Sequence, residues 1–175
     1  MTTSKHEHSA YDSRCIANSF LELASEGSVP VTHMKLQKLV YITHGWHLAI
    51  YGQPLIRDEV QAWPYGPVIP VLYDEFKGFG GQPVDRFFKK FDFKDGFDWS
   101  PPMIVPLVEN EEDRVLIKTI YDSYGKLSAI ALSDLTHQSG SPWSRVFEQH
   151  GAGAVIGNDV IQSHFAELAQ KYEQG

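Results

Sequence analysis

The sequence predicts a mainly α, α+β fold: a compact helical domain packed around a central buried helix, with one small β-sheet. Three observations carry this. The segment from Thr32 to Tyr51 is apolar on two sides, as a helix enclosed by other helices must be. Amphipathic helical spacing recurs before it and along the C-terminal half. Strand-like alternation is confined to short runs, the clearest from Glu59 to Trp63.

The first helix is expected from Tyr11 or Asp12 to Ser25, with Ile16, Phe20 and Leu23 at helical spacing and Gly27 and Pro30 ending it. Thr32 is the expected N-cap of the central helix and Gly52 its stop. Leu36, Leu39, Val40, Trp46, His47 and Ile50 form its broad apolar side. Ile42, Gly45 and Ala49 form a narrower one, where another helix can come close. Gly66-Pro67 is read as opening a further helix that carries Val68, Val71, Leu72 and Phe76 and stops at Gly78. From Gly80 to Pro106 only short extended pieces such as Met103 to Val105 are expected. Asn110 caps a helix carrying Val115, Leu116, Ile120 and Tyr121. Ser128 caps the next, with Leu127 and Leu132 at the two positions of a hydrophobic staple. Ser141-Pro142 starts a short helix through Phe147. A last helix runs from about Asp159 to Tyr172 with Ile161, Phe165, Leu168 and Tyr172 on one face.

The 175 residues suit a single domain over residues 10–175, behind a disordered polar tail over residues 1–9. With 42% hydrophobic and 21% charged residues the chain is ordinary globular material, able to bury a core without staples. No run approaches the roughly 18 apolar residues of a membrane span. The opening MTTSKHEHSA has no apolar stretch of the secretory kind. A lone Cys15 forms no internal disulfide, and its helical apolar neighbours predict a buried, inert thiol. A cytoplasmic protein is the expectation. The net charge of −7 disfavours nucleic acid, because the densest basic run, Arg86 to Lys94, is broken by Asp92 and followed by Asp95 and Asp98.

Chemistry-bearing patterns are sparse. His44 and His47 stand three apart on the central helix, a spacing that can aim two imidazoles at one metal. A third ligand would have to come from His33, His137 or a carboxylate, and no HExxH or paired-cysteine signature supplies one. Hydrogen-bonded core histidines are the simpler reading, with partner contact and metal as alternatives. Thr136-His137 and Ser141 lie close in sequence without a nucleophile elbow. GFGG over residues 78–81 lacks the setting of a phosphate loop. No catalytic residue, metal or cofactor is assigned, and the chain is expected not to be an enzyme.

Three ordered blocks carry more. The first is Lys35-Leu36-Gln37-Lys38-Leu39 running to Gly45-Trp46-His47 and Tyr51-Gly52. The second is Glu59, Ala62-Trp63, Tyr65-Gly66-Pro67-Val68, Leu72-Tyr73 and Phe76-Lys77-Gly78-Phe79-Gly80. The third is Tyr124-Gly125, Leu127-Ser128, Leu132-Ser133, Leu135-Thr136-His137 and Ser141-Pro142-Trp143. Together they resemble the Panacea domain, the SocA-like antitoxin family. The resemblance implies a bacterial or phage protein that neutralises a cognate protein toxin, by direct binding or by delivering it to a cellular protease. Members serve diverse toxins, so the resemblance selects no partner. Physically, Trp46, Trp63 and Trp143 each need a packing surface. Tyr65-Gly66-Pro67 reads as a strand-to-helix corner, and Thr136 with His137 as a helix end where an imidazole meets unpaired carbonyls.

A contact surface is expected where aromatics outnumber what one buried face can hold. Phe87, Phe88, Phe91, Phe93, Phe97 and Trp99 alternate with charges in a segment without firm periodicity. Phe88, Phe93, Phe97 and Trp99 are the expected partner contacts, with Trp63, Tyr65 and His137 as a second candidate surface. Two other readings stand beside the antitoxin one. One is a metal-dependent hydrolase using His44, His47 and His137. The other is a phage or mobile-element protein that binds a different host protein.

Overall fold

The computed structural model describes residues 9–27, 29–90 and 101–174. The expected tail, apart from Ser9, and the aromatics Phe91, Phe93, Phe97 and Trp99 lie outside the described residues. The helices among them are α1 (Ser13–Gly27), α2 (His33–Tyr51), α3 (Pro70–Phe76), α4 (Glu111–Tyr124), α5 (Ala129–His137), α6 (Pro142–His150) and α7 (Asn158–Glu173). The short strands are β1 (Gln61–Trp63), β2 (Gly66–Val68), β3 (Lys89–Lys90), β4 (Met103–Ile104) and β5 (Ala154–Val155).

Helix α2 is the axis. The Thr32 hydroxyl accepts from the Lys35 N–H at its start, and Gly52, at φ 70°, closes its end by donating to the Leu48 carbonyl. Every residue from Lys35 to Gly45 is buried, because α1, α3, α4, α5 and α7 all pack around this helix. Helix α7 lies closest. Gly45 faces the Phe165 ring so directly that an added Cβ would collide with it. The narrow side expected around Gly45 is therefore where α7 docks.

Among the described residues the strands form two small sheets, where one was expected. In the first, β1 is central, with β2 and β5 antiparallel on either side; Trp63 pairs with Gly66 across a connection made by Pro64-Tyr65. The second pairs β3 with β4. Gly66-Pro67 is thus a strand, not a helix start. Pro67 fits there because β2 is an edge strand, where a missing N–H breaks no ladder bond. The helix begins at Pro70 instead. The residue before it, Ile69, is held by Gln37, whose side chain accepts from Ile69 N at 2.8 Å and donates to Ile69 O at 3.0 Å.

Other expectations change through packing. Ile50 and Val115 face solvent, at 56% and 60% exposure, while Ile117 turns inward in place of Val115. Helix α6 runs on past Phe147 to His150. Phe88, expected on a contact surface, is fully buried and its ring lies 3.9 Å from that of Phe76. Asn18 explains this. From α1 its side chain accepts from Phe88 N at 2.7 Å and donates to the Phe88 and Val105 carbonyls, drawing the residues that flank the second sheet onto the core. Cys15 is half-buried and burial raises its thiol pKa.

The α2–α7 contact yields a direct test. Gly45→Ala should destabilise the fold by about 1–3 kcal/mol through overpacking against Phe165. The double variant with Phe165→Leu should melt higher than Gly45→Ala alone. Chemical denaturation of the three proteins measures this, and additive losses would show that the two positions do not meet.

Candidate functional site

The hairpin β1–β2 is held by side chains from three helices, all aimed at its backbone carbonyls. Lys38 of α2 donates from Nζ to Tyr65 O at 3.1 Å and to Pro67 O at 2.9 Å. Ser133 of α5 donates from Oγ to the same Tyr65 carbonyl at 3.0 Å. His137, one turn on, has Nε2 3.3 Å from Pro64 O and Nδ1 2.8 Å from Ser133 O. Trp143 of α6 donates from Nε1 to Trp63 O at 2.7 Å, and its ring packs edge-on against His137.

The consequence is a rigid tip with one large free side chain. Lys38, Gly66, Pro67, Ser133 and Thr136 are buried; Trp63, His137 and Trp143 are half-buried; Tyr65 is 76% exposed. Gly66 has no alternative. Its φ is +109°, and an added Cβ would stand 2.7 Å from Lys38 Nζ. Trp63 is further fixed by the Tyr73 ring at 4.8 Å and by its own Nε1 donating to Gln61.

Lys38 is the unusual member. Burial pushes its ammonium down to about 7, so near neutrality it readily becomes an amine. Two N–H groups of a neutral amine match the two carbonyls it serves.

Ser133 Oγ and His137 Nδ1 are 3.2 Å apart, which invites a comparison with a catalytic dyad. The hydroxyl proton is directed at Tyr65 O, and Nδ1 is closer to the Ser133 carbonyl than to the hydroxyl. Ser133 is also buried, so the arrangement fastens the hairpin rather than presenting a nucleophile.

The remaining histidines are tied elsewhere. His44 accepts at Nδ1 from Ile56 N and meets Asn158 Oδ1 through Nε2 at 2.9 Å; burial pushes it down to about 4, so it is neutral. His47 places Nδ1 2.7 Å from Gln53 O and Nε2 3.2 Å from Asp113, both side chains fully buried. Asp113 also accepts from the Tyr11 hydroxyl, joining α4 to the start of the chain's first helix. His44, His47 and His137 therefore serve different neighbours, and no group of three or more His, Cys, Asp or Glu among the described residues is placed to hold a metal ion.

The other motif residues are packing. Lys35 and Leu36 are buried on α2. Trp46 is half-buried, edge-on to Phe165 and close to Tyr172. Thr136 donates back to carbonyls of its own helix, and Pro142 occupies the first turn of α6. Sequence reasoning missed the roles of Asn18, Gln37 and Lys38. The available signal was a polar side chain placed among apolar residues at helical spacing.

Lys38 makes stability depend on pH with a definite sign. Its folded-state pKa lies below the unfolded value of 10.5, so the unfolded chain holds the extra proton between about pH 7 and 10.5. Stability should rise with pH across that window, by about 1–3 kcal/mol between pH 7 and 9. Lys38→Met should flatten the rise. Urea denaturation at several pH values measures it, and an unchanged slope in the variant would assign the proton to another group.

Two comparisons with known proteins bear on this architecture. The family model described as "Antitoxin SocA-like, Panacea domain" matches residues 36–144, a span that contains every residue fastening the hairpin. A curated relative, "Antitoxin SocA" of Caulobacter vibrioides (strain NA1000 / CB15N), is 34% identical over 160 residues, covering 88% of this chain and 82% of the relative. No solved structure matches the chain. The residues that fasten the hairpin, from Lys38 to Trp143, thus lie within the matched span, and the chain belongs to the SocA-like antitoxin, Panacea domain family.

Proposed function

We propose that this chain is the antitoxin of a toxin–antitoxin pair, acting in the cytoplasm by direct binding of a protein toxin and without turnover of its own. Family membership supports the antitoxin role. The observation that carries the binding reading is Tyr65. A large aromatic side chain stands 76% exposed at a turn immobilised by Lys38, Ser133, His137 and Trp143. A rigid, amphipathic ring loses little conformational freedom on contact, which is why tyrosine anchors so many interfaces. Trp63 and His137 flank it. Phe93, Phe97 and Trp99 remain candidate contacts from the segment outside the described residues; buried Phe88 does not.

The hydrolase reading has less behind it. His44 and His47 are committed to backbone and side-chain partners in the core, and His137 faces carbonyl oxygens. The net charge of −7 gives a long-range field that favours a basic partner and repels nucleic acid. The described helices include none long and apolar enough to cross a membrane.

The test uses the cognate toxin, sought in the reading frames beside this chain's gene and by co-purification. Tyr65→Ala should keep the wild-type melting temperature, since its side chain contributes nothing to the core. It should lose about 2 kcal/mol of affinity, roughly 30-fold, and with it protection of cells expressing the toxin. Toxin abundance in protected cells separates the two modes. A steady level indicates blocking, and a level restored by protease deletion indicates delivery. Full protection by Tyr65→Ala, Trp63→Ala and His137→Gln, all folded, would remove this surface from the account.

A further inference from the structure

On a chain of net charge −7, one recess carries the opposite sign. It lies where α1, α3 and the β3–β4 ribbon meet, and measures about 560 Å³. Arg14, Arg86, Lys89 and Lys90 line it, against Glu75 as the one carboxylate in its wall among the described residues. Arg14 is held by Asp12, through Nε at 2.8 Å and Nη2 at 2.6 Å. The same carboxylate also accepts from Arg57 at 3.0 Å, so two guanidiniums share one negative charge. Arg86, Lys89 and Lys90 make no ion pair with any described residue. Arg86 is placed by Phe79, whose ring centroid lies 5.1 Å from the guanidinium carbon. These three cations are exposed, so the core does not require them there. Gathered at one recess they repel one another, and an anion seated among them offsets that repulsion.

The ribbon adds an apolar component. Lys89 pairs with Ile104 and Lys90 with Met103, so each face of β3–β4 carries a cation beside an apolar side chain. All four residues are exposed. We propose that the recess and ribbon bind a short acidic and apolar peptide segment of a partner protein. Its carboxylates meet Arg86 and Lys89, and an apolar side chain rests on Ile104. A nucleic acid shares the negative charge and fits less well on two counts. Its phosphates continue past the recess onto an acidic surface that repels them, and a sugar-phosphate backbone gains nothing from Ile104 or Met103. A peptide with a few carboxylates confines its charge to the recess and uses both components. The surface shares no residue with the Tyr65 hairpin, so the inference goes beyond the antitoxin reading and does not depend on it.

Three probes test this: a short peptide of alternating glutamate and leucine, the same peptide with glutamine for glutamate, and an oligothymidylate of similar length. Full-length protein is titrated with each by calorimetry and NMR. The acidic peptide should saturate one site, weaken as salt rises, and bind about tenfold more tightly than its glutamine counterpart. Arg86→Gln and Lys89→Gln should each weaken it about twofold to fivefold while melting like the wild type. Ile104→Ser should weaken both peptides alike. Lys171→Gln removes the same charge from exposed α7 and should change nothing. The proposal fails if the acidic peptide does not saturate, if the glutamine peptide binds equally well, or if Ile104→Ser affects neither. It also fails if Lys171→Gln costs as much as Lys89→Gln, since bulk charge is then the cause. Oligothymidylate binding as tightly as the acidic peptide would overturn it in favour of nucleic acid.

Discussion

A helix surrounded by other helices has nowhere to send its polar side chains, and α2 carries several. Gln37, Lys38, Thr43, His44 and His47 are all buried on it. Each must be hydrogen-bonded inside the protein, because an unmet polar group there costs about 1–3 kcal/mol. Thr43 solves this within its own helix by donating to Leu39 O. The other four reach out: Gln37 to Ile69, Lys38 to Tyr65 and Pro67, His44 to Ile56 and Asn158, His47 to Gln53 and Asp113. The apolar faces of α2 attract the surrounding elements without fixing where they sit. These polar contacts fix their register, since most of them involve backbone groups that have one correct position.

The same division of labour shapes the surface. Holding the β1–β2 hairpin through its carbonyls leaves the side chain at its tip uncommitted, which is how Tyr65 can be exposed on a fixed backbone. Were the hairpin held by Tyr65 itself, the ring would be buried and unavailable. Trp63 and Trp143 work as supports, one packed on Tyr73 and the other bonded to the hairpin backbone. Asn18 plays the part of Lys38 at the second sheet, trading hydrogen bonds with Phe88 and Val105 while Phe88 fills the core.

The legible part of this structure is what local rules govern. Thr32, Asn110, Ser128 and Ser141 cap helices as their positions suggest, each accepting from the N–H three residues on, and Gly52 ends α2 with the expected positive φ. Gly45 was readable too, as the small residue where a neighbouring helix approaches. Illegible were the long-range polar ties. The separation of Asn18 from Phe88 is 70 residues and that of Lys38 from Pro67 is 29, so no window of sequence contains both ends. For Phe88 the density of aromatics misled for the same reason. Whether Phe88 faces water or Phe76 is decided by Asn18, far away in the chain.

The misreading of Gly66-Pro67 shows where local and tertiary demands part. A proline after glycine is a good helix start by local rules, and Pro70, three residues later, is the one that is used. What removes Pro67 from consideration is Lys38. Its amine needs the carbonyls of residues 65 and 67 turned toward it, and a helix beginning at residue 67 would aim them along the helix axis instead. Gly66 must then take a positive φ and carry no side chain, because the amine occupies the space a Cβ would need. One buried lysine on α2 thus dictates a strand, a glycine and a proline on an edge, and through them the presentation of Tyr65. Residue types that break a local rule without local compensation are where a fold accommodates something else. Here that something is the exposed tip of the hairpin, the part of the molecule best placed to meet a partner.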